Sequence, residues 1–400
     1  MTAGEGDPDY LLSAAAVRQR CGIVFAAAER GETRHFRLHP DRLDEAVARV
    51  VAVTRRRYSD LDVPFHSRWR HFTAGGVDRA AAIAPGAGPA ERARARLDLA
   101  IVSVLLDAGA EPGWAYREAE TGLVVARSEG LAVASLRAMQ AGLFSGDPAN
   151  PWRADAAVLA AMTAEQLGDA FQHGPDNPLS GLAGRVLLLR SLGEVIAAAP
   201  ELFGKPARLG CLYDYWLPWR GGLAAAEMLR LLLHALGPIW PGRLSLNGVP
   251  LGDCGLHSAI PGDGIVPFHK LSQWLTYSLI EPLADAGFVI TDIDGLTGLA
   301  EYRNGGLFLD CGIIAPCDER LLHQRLDPFG EAVVEWRALT VTLLDRLSAK
   351  VQDRLGKSTA EFPLAKVLEG GSWAAGREIA AERRPDGGAP LNIVSDGTLF

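Results

Sequence analysis

The stretch Asp327-Pro328-Phe329-Gly330-Glu331-Ala332-Val333-Val334-Glu335-Trp336-Arg337-Ala338-Leu339-Thr340-Val341-Thr342-Leu343-Leu344-Asp345-Arg346-Leu347 reads as one long helix. Asp327 suits an N-cap and Pro328 the first helical position, where a missing N–H costs nothing. Trp336, Leu339, Leu343 and Leu347 recur at three and four, so they share one apolar face. The same spacing returns along the chain, in Leu11–Arg30 ending at Gly31 and in Asp41–Tyr58 with Leu43, Val47, Val50 and Val51 on one side. Further helices are expected over Ala90–Asp107, stopping at Gly109, and over Gly130–Ala141, Ala154–Phe171, Leu182–Ala198 and Gly222–Leu236. Pro267 and Phe268 open another, which Pro282 kinks or ends. Strand signals are confined to Thr33–Leu38, Leu123–Ala126 and Gly287–Thr291, and strands do not alternate with helices as a doubly wound sheet requires. The expected fold is mainly α, one large helical domain over 1–400 with a few short β-strands. The linkers Ile83–Pro89, Gly142–Trp152 and Arg383–Pro390 are too short to demand separate domains. They leave room for two lobes, 1–145 and 150–400.

Composition narrows the function. Of 400 residues, 48% are hydrophobic and 22% charged, which is a globular and not a disordered balance. Forty Lys and Arg against 48 Asp and Glu give a net charge of −8. That balance opposes a nucleic-acid-coating surface and still permits a local basic pocket for a small anion. The five cysteines, Cys21, Cys211, Cys254, Cys311 and Cys317, form no CxxC pair and suit a reducing compartment. Met1–Asp9 lacks an apolar signal core, and the longest apolar run, Leu99–Leu106, falls far short of the ~20 residues that span a bilayer. A cytoplasmic protein without membrane contact is expected.

Most motif matches fail. Gly356-Lys357-Ser358 resembles the end of a phosphate loop, but Val351 stands where the first glycine belongs, and a helix C-terminus explains it better. HExxH, GxSxG and GxGxxG are absent. His35 and His39 lie in a strand-like stretch without a third ligand, so neither metal nor organic cofactor is expected. Cys311 and Cys317 read as buried thiols.

Dense polar-aromatic clusters remain. They are Phe65–Phe72, Trp114–Glu118 with Arg127–Gly130, Phe268–Trp274, and Leu296–Gly306. Helical spacing puts Lys270, Trp274 and Tyr277 on one face, beside a core stripe of Leu271, Leu275 and Leu279. A lysine among aromatics near a helix start suits an anion such as phosphate; a solvated lysine over aromatics is the plainer alternative. Gly298 and Gly305-Gly306 bracket one helical turn carrying Glu301, Tyr302 and Arg303. Either this carboxylate meets a substrate, or it forms a buried ion pair with Arg303.

Arg127-Ser128-Glu129-Gly130-Leu131-Ala132, Pro267 to Leu275, Leu296 to Gly306 and Trp336 to Val341 resemble the Urc/Urg uracil-catabolism family, long labelled only as a domain of unknown function. The likeness runs from Tyr10 to Ser395-Asp396-Gly397-Thr398. It implies a step in pyrimidine breakdown in which uracil becomes a nucleotide, the ring opens and a urea-bearing ribose phosphate follows. Phe268-His269-Lys270 with Gln273, and Leu296-Thr297-Gly298-Leu299-Ala300-Glu301-Tyr302-Arg303, are also similar to two segments of queuosine-phosphate N-glycosylases. Those are helical proteins related to helix-hairpin-helix DNA glycosylases, with a catalytic Asp where Glu301 stands here. Asn304-Gly305-Gly306 departs from that family's continuation.

The resemblances imply hydrolysis of the N-glycosidic bond of a ribose 5-phosphate derivative, ribosylurea phosphate giving urea and ribose 5-phosphate. Glu301 is the expected catalytic carboxylate and His269 the expected proton donor, with His66 a second choice. Lys270 and Arg303 are expected to bind the phosphate, Arg303 with two arms. Tyr302, Trp274, His66, Arg68, Trp69 and Glu129 are expected to line the substrate site. The expected partner is a small phosphorylated ribose and no nucleic acid. An amidohydrolase acting on the ring-opened nucleotide, with a metal or a Cys311 nucleophile, is the competing enzyme class. A metabolite-binding scaffold is the non-enzymatic one.

Overall fold

The computed structural model describes residues 6–107, 113–240 and 244–394. The expected helix stop at Gly109, the start of the N-terminal stretch and the closing Ser395–Thr398 lie outside these residues. The longest helix is Glu331–Leu355. It begins later than Asp327, because that carboxylate closes a local turn by accepting the Phe329 N–H (3.0 Å) and leaves Gly330 at the N-cap. Trp336, Leu339, Leu343 and Leu347 are all buried, as their spacing requires. Gly356, left-handed, ends the helix, so Gly356-Lys357-Ser358 is a C-cap and its following turn.

Ala14–Glu29 and Leu43–Arg57 pack against Glu331–Leu355. Ser13 starts the first of these by accepting the Ala16 N–H. Leu182–Ala198 has the expected bounds, and Pro89–Leu105, Arg127–Gln140 and Ala225–Leu236 lie close to theirs. The expected helix Ala154–Phe171 is two, Ala156–Ala160 and Ala164–Ala170, separated where Thr163 and Gln166 form a capping box. Lys270–Asp285 carries Pro282 in its last turn without ending there.

Among the described residues, strands pair only in twos. Phe36–Leu38 lies antiparallel to Ile314–Pro316, Ala115–Arg117 to Val124–Ala126, and Cys254–Leu256 to Ile265–Pro267, while Leu223–Ala224 runs parallel to Ile290–Thr291. The fold is mainly helical with a few short strands. No helix among the described residues is long and apolar enough to cross a membrane.

Contacts divide the chain into two compact units. One holds 6–66, 244–273 and 292–394, and the other holds 67–107, 113–240 and 274–291. The division differs from the expected lobes 1–145 and 150–400. The reason is that the first unit's core joins distant segments, with Val17, Cys21 and Val24 meeting Phe268, Ala300, Val334, Ala338 and Val341. In the second unit, Leu182–Ala198 packs on Ala156–Ala160, and Pro89–Leu105 on Arg127–Gln140.

Candidate functional site

Lys270 follows a sharp elbow between the strand Ile265–Pro267 and the helix Lys270–Asp285. His269 turns the corner with φ of 49°, a conformation costly for a residue with a Cβ. Asp253 holds the corner. Its carbonyl accepts the N–H groups of Phe268 (2.9 Å) and His269 (3.2 Å), and its Oδ2 accepts that of Lys270 (2.9 Å). Arg337 grips the same carboxylate with both terminal nitrogens (2.8 and 2.7 Å) and lies 4.0 Å above the Phe268 ring. Burial by itself raises the Asp253 carboxyl; the Arg337 charge and these hydrogen bonds outweigh burial and hold it at about 2.

The His269 ring is buried, with Nε2 2.8 Å from the Leu11 carbonyl, and burial lowers its pKa. The neutral ring therefore donates Nε2–H to Leu11, and its buried Nδ1 has no hydrogen-bond partner. That is the opposite of an exposed, protonated donor. The expectation that His269 protonates a leaving group does not fit this geometry; His269 anchors the elbow to Leu11.

Gln273 binds the elbow to the second motif. Its Oε1 accepts the Thr297 N–H (2.8 Å), while Nε2 donates to Thr297 Oγ1 (2.7 Å) and to the Phe268 carbonyl (3.0 Å). From Thr297 the chain runs to Glu301, the N-cap of the nine-residue helix Tyr302–Asp310. Glu301 Oε2 accepts the Arg303 N–H (2.7 Å) and Oε1 the Asn304 N–H (2.6 Å). The glycines therefore do not bracket a single turn. Gly305 and Gly306 lie inside this helix, and Gly305 lets it sit against the Trp336 indole, where a Cβ would collide.

Glu301 is partly buried, and burial raises its carboxyl pKa against the opposing pull of the two amides, the Lys270 charge and the Arg303 charge. Lys270 and Glu301 thus share one electrostatic neighbourhood. The alternative ion pair between Glu301 and Arg303 does not form. Arg303 instead stacks 4.6 Å over the Tyr302 ring and donates Nη1 to the Gly387 carbonyl (2.8 Å). At 4% exposure it is not an open two-armed phosphate clamp, which corrects that expectation. Tyr302 is 38% exposed. In the same unit, His66 Nδ1 lies 2.9 Å from Glu369 Oε2.

The remaining expected residues belong to the second unit. Arg68 is fully buried. It donates to Ser103 Oγ (2.8 Å) and the Ser128 carbonyl (3.0 Å) and pairs with Asp107 (2.6 Å). Trp69, also buried, donates to the Ser278 carbonyl (2.8 Å) beneath the Arg96 guanidinium. Both are built into their unit through these bonds, and Arg68 Nη2 is buried without a hydrogen-bond partner. Trp274 is 6% exposed with its ring 5.9 Å from that of His71, and Tyr277 is buried too. Glu129 is partly buried in the first turn of Arg127–Gln140.

Burial pushes the Cys311 thiol to about 11, so it is no ready nucleophile. Among the described residues, no three His, Cys, Asp or Glu side chains gather as a metal ligand set. The sequence offered no role for Asp253, Arg337 or Glu369. A lone acid carries no motif.

Two relatives match along their whole length. The Schizosaccharomyces pombe protein named "Protein urg3" is 41% identical over 401 residues, 98% of each chain. The Lachancea kluyveri protein named "Uracil catabolism protein 4" is 37% identical over 434 residues, again 98% of each. A family model described as "Protein of unknown function (DUF1688)" matches residues 10–400. With nearly its entire length matched, the chain belongs to the DUF1688 family.

Proposed function

We propose that this protein acts in uracil catabolism as an N-glycoside hydrolase, cleaving ribosylurea 5-phosphate to urea and ribose 5-phosphate. One observation carries the proposal. The Glu301 carboxylate is fixed by two backbone N–H groups, in the field of Lys270, at the end of two segments that Gln273 and Thr297 lock together. The name of the Lachancea kluyveri relative supports the pathway, and the likeness to queuosine-phosphate N-glycosylases supports the bond. Cleavage of a ribosyl C–N bond builds positive charge on the sugar. A carboxylate beside the anomeric carbon stabilises that charge and accepts a proton from the attacking water. The upward shift of the Glu301 carboxyl moves it toward the range useful to a general base. Lys270 supplies the cation for the phosphate.

The test incubates purified protein with ribosylurea 5-phosphate and assays both products, with UMP and queuosine 5-phosphate in parallel. Glu301→Gln is expected to lose roughly 10²–10⁴-fold in kcat. It retains one oxygen to cap the helix, so its folding cost stays at about 1 kcal/mol. No turnover of any of the three substrates, or an undiminished Gln variant, refutes the proposal.

A further inference from the structure

The hairpin of Cys254–Leu256 and Ile265–Pro267 is closed by the loop 257–264, and this loop frames a cleft that contains neither Lys270 nor Glu301. The cleft has a volume of about 400 Å³, within the range of small-molecule sites. One wall is the loop, with Leu256, Ser258 and Asp263. The other is Phe329 and Glu331, where the chain enters the helix Glu331–Leu355. All of these residues belong to the first unit.

Hydrogen bonds fix the loop. The His257 N–H donates to the Gly264 carbonyl (2.8 Å). The buried His257 ring accepts the Ala259 N–H on Nδ1 (3.0 Å) and meets Glu335 Oε2 with Nε2 (3.2 Å). Asp263 accepts the Ile265 N–H (2.9 Å) and both terminal nitrogens of Arg20 (2.8 and 3.1 Å).

The charges of the cleft do not cancel. Arg20 neutralises Asp263. Glu331 and Glu335 lie four apart on one side of their helix, and among the described residues they bond to main-chain N–H groups and histidine rings, not to arginine or lysine. Glu331 Oε1 accepts the Ser258 N–H (2.8 Å). Its Oε2 has His35 Nε2 at 3.6 Å, long for a hydrogen bond. Burial by itself raises the Glu331 carboxyl; the Ser258 bonds and the His257 and His35 rings outweigh it and hold the group at about 2. The helix amino terminus contributes about half a positive charge, which the two carboxylates exceed. Beside this charge the lining is apolar: Leu256 is 49% exposed and Phe329 is half-buried. A carboxylate oxygen open to a donor, next to an exposed leucine, matches a cation that carries an apolar body.

We propose that this cleft binds an organic cation, an ammonium group on an alkyl chain, with Glu331 as its counter-ion. The ammonium donates to Glu331 Oε2, and the chain lies on Leu256 and Phe329. A free diamine and a lysine side chain share this chemistry. The proposal is independent of the hydrolysis proposed above.

The experiment titrates the full chain in a calorimeter with 1,5-diaminopentane and with Nα-acetyl-lysine methylamide, beside pentan-1-ol as the uncharged control. Saturable binding of an ammonium probe is expected, and none of pentan-1-ol at the same concentrations. Glu331→Gln is expected to weaken binding at least about tenfold, the loss of a charge-assisted hydrogen bond. The variant keeps an oxygen for the Ser258 N–H, and its thermal unfolding midpoint checks that it folds. Leu256→Ser, a change at an exposed position, is expected to weaken binding by about three- to tenfold. The tighter of the two ammonium probes identifies the source of the cation, a free diamine or a polypeptide side chain, and either one supports the site. No saturable binding of either ammonium, equal binding of pentan-1-ol, or unchanged affinity in either variant overturns the proposal. Turnover of ribosylurea 5-phosphate is read separately, so these failures leave the hydrolysis standing.

Discussion

Arg337→Met tests whether the elbow that presents Lys270 depends on the Asp253–Arg337 pair. Methionine matches much of the arginine's apolar stem and keeps contact with the Phe268 ring, so the change removes mainly charge and hydrogen bonds. In the native protein the Asp253 carboxyl is held at about 2. An unfolded Asp titrates near 3.9, so the shift corresponds to roughly 2–3 kcal/mol of stability. The sign follows from the depressed value. That stability is fully present above the unfolded pKa and is lost as pH falls through the folded one. Removing Arg337 leaves a buried carboxylate with the Lys270 N–H as its hydrogen-bond donor, a change that typically costs about 3–5 kcal/mol at pH 7. Burial then raises the Asp253 carboxyl, so protonation relieves the variant at acid pH. Urea unfolding of wild type and Arg337→Met at pH 7 and pH 4 measures both terms. The expected difference is about 3–5 kcal/mol at pH 7 and clearly smaller at pH 4. A difference below about 1 kcal/mol at pH 7, the scale of a surface pair, refutes the reasoning, as does one independent of pH.

Two further outcomes follow from the same site. Gln273→Leu should destabilise by about 1–3 kcal/mol, because the Thr297 N–H loses its buried acceptor, and a shift in the midpoint of thermal unfolding reads it directly. His269 titrates lower in the folded than in the unfolded state, so its contribution is fully present above an unfolded pKa near 6.5 and declines as pH falls below that value. His269→Gln should accordingly flatten the stability curve of the native protein between pH 7 and pH 5 in urea titrations.

Much of the helical framework was legible because apolar spacing is a local property. Leu182–Ala198 needs no distant information, since its own residues define the buried face. Strands of two or three residues are too short to alternate, and Phe36–Leu38 is completed only by Ile314–Pro316, far along the chain. The site was half legible. The residues of the two motifs do come together, through Gln273, Thr297 and the shared electrostatics of Lys270 and Glu301. Arg68 and Trp69 are ambiguous in sequence because a cluster dense in donors resembles a binding surface. A buried arginine that finds Ser103, Ser128 and Asp107 produces the same residue types in sequence. Asp253 was invisible for the converse reason. A single acid reveals its role only when the backbone brings three N–H groups and a guanidinium to it.

The joining of distant segments in the first unit has a consequence for biosynthesis. Glu29 and Arg346, paired across the contact between Ala14–Glu29 and Glu331–Leu355, are separated by 317 residues. At about 5–20 residues per second, a ribosome takes roughly 15–60 s to make that interval. Throughout it, Val17, Cys21 and Val24 have emerged without the helix that covers them. Residues 67–107 and 113–240, by contrast, are made almost consecutively and can begin packing on one another as they appear. The order of synthesis therefore favours early assembly of the second unit. It leaves the apolar face of Ala14–Glu29 in need of shelter until Glu331–Leu355 has been made.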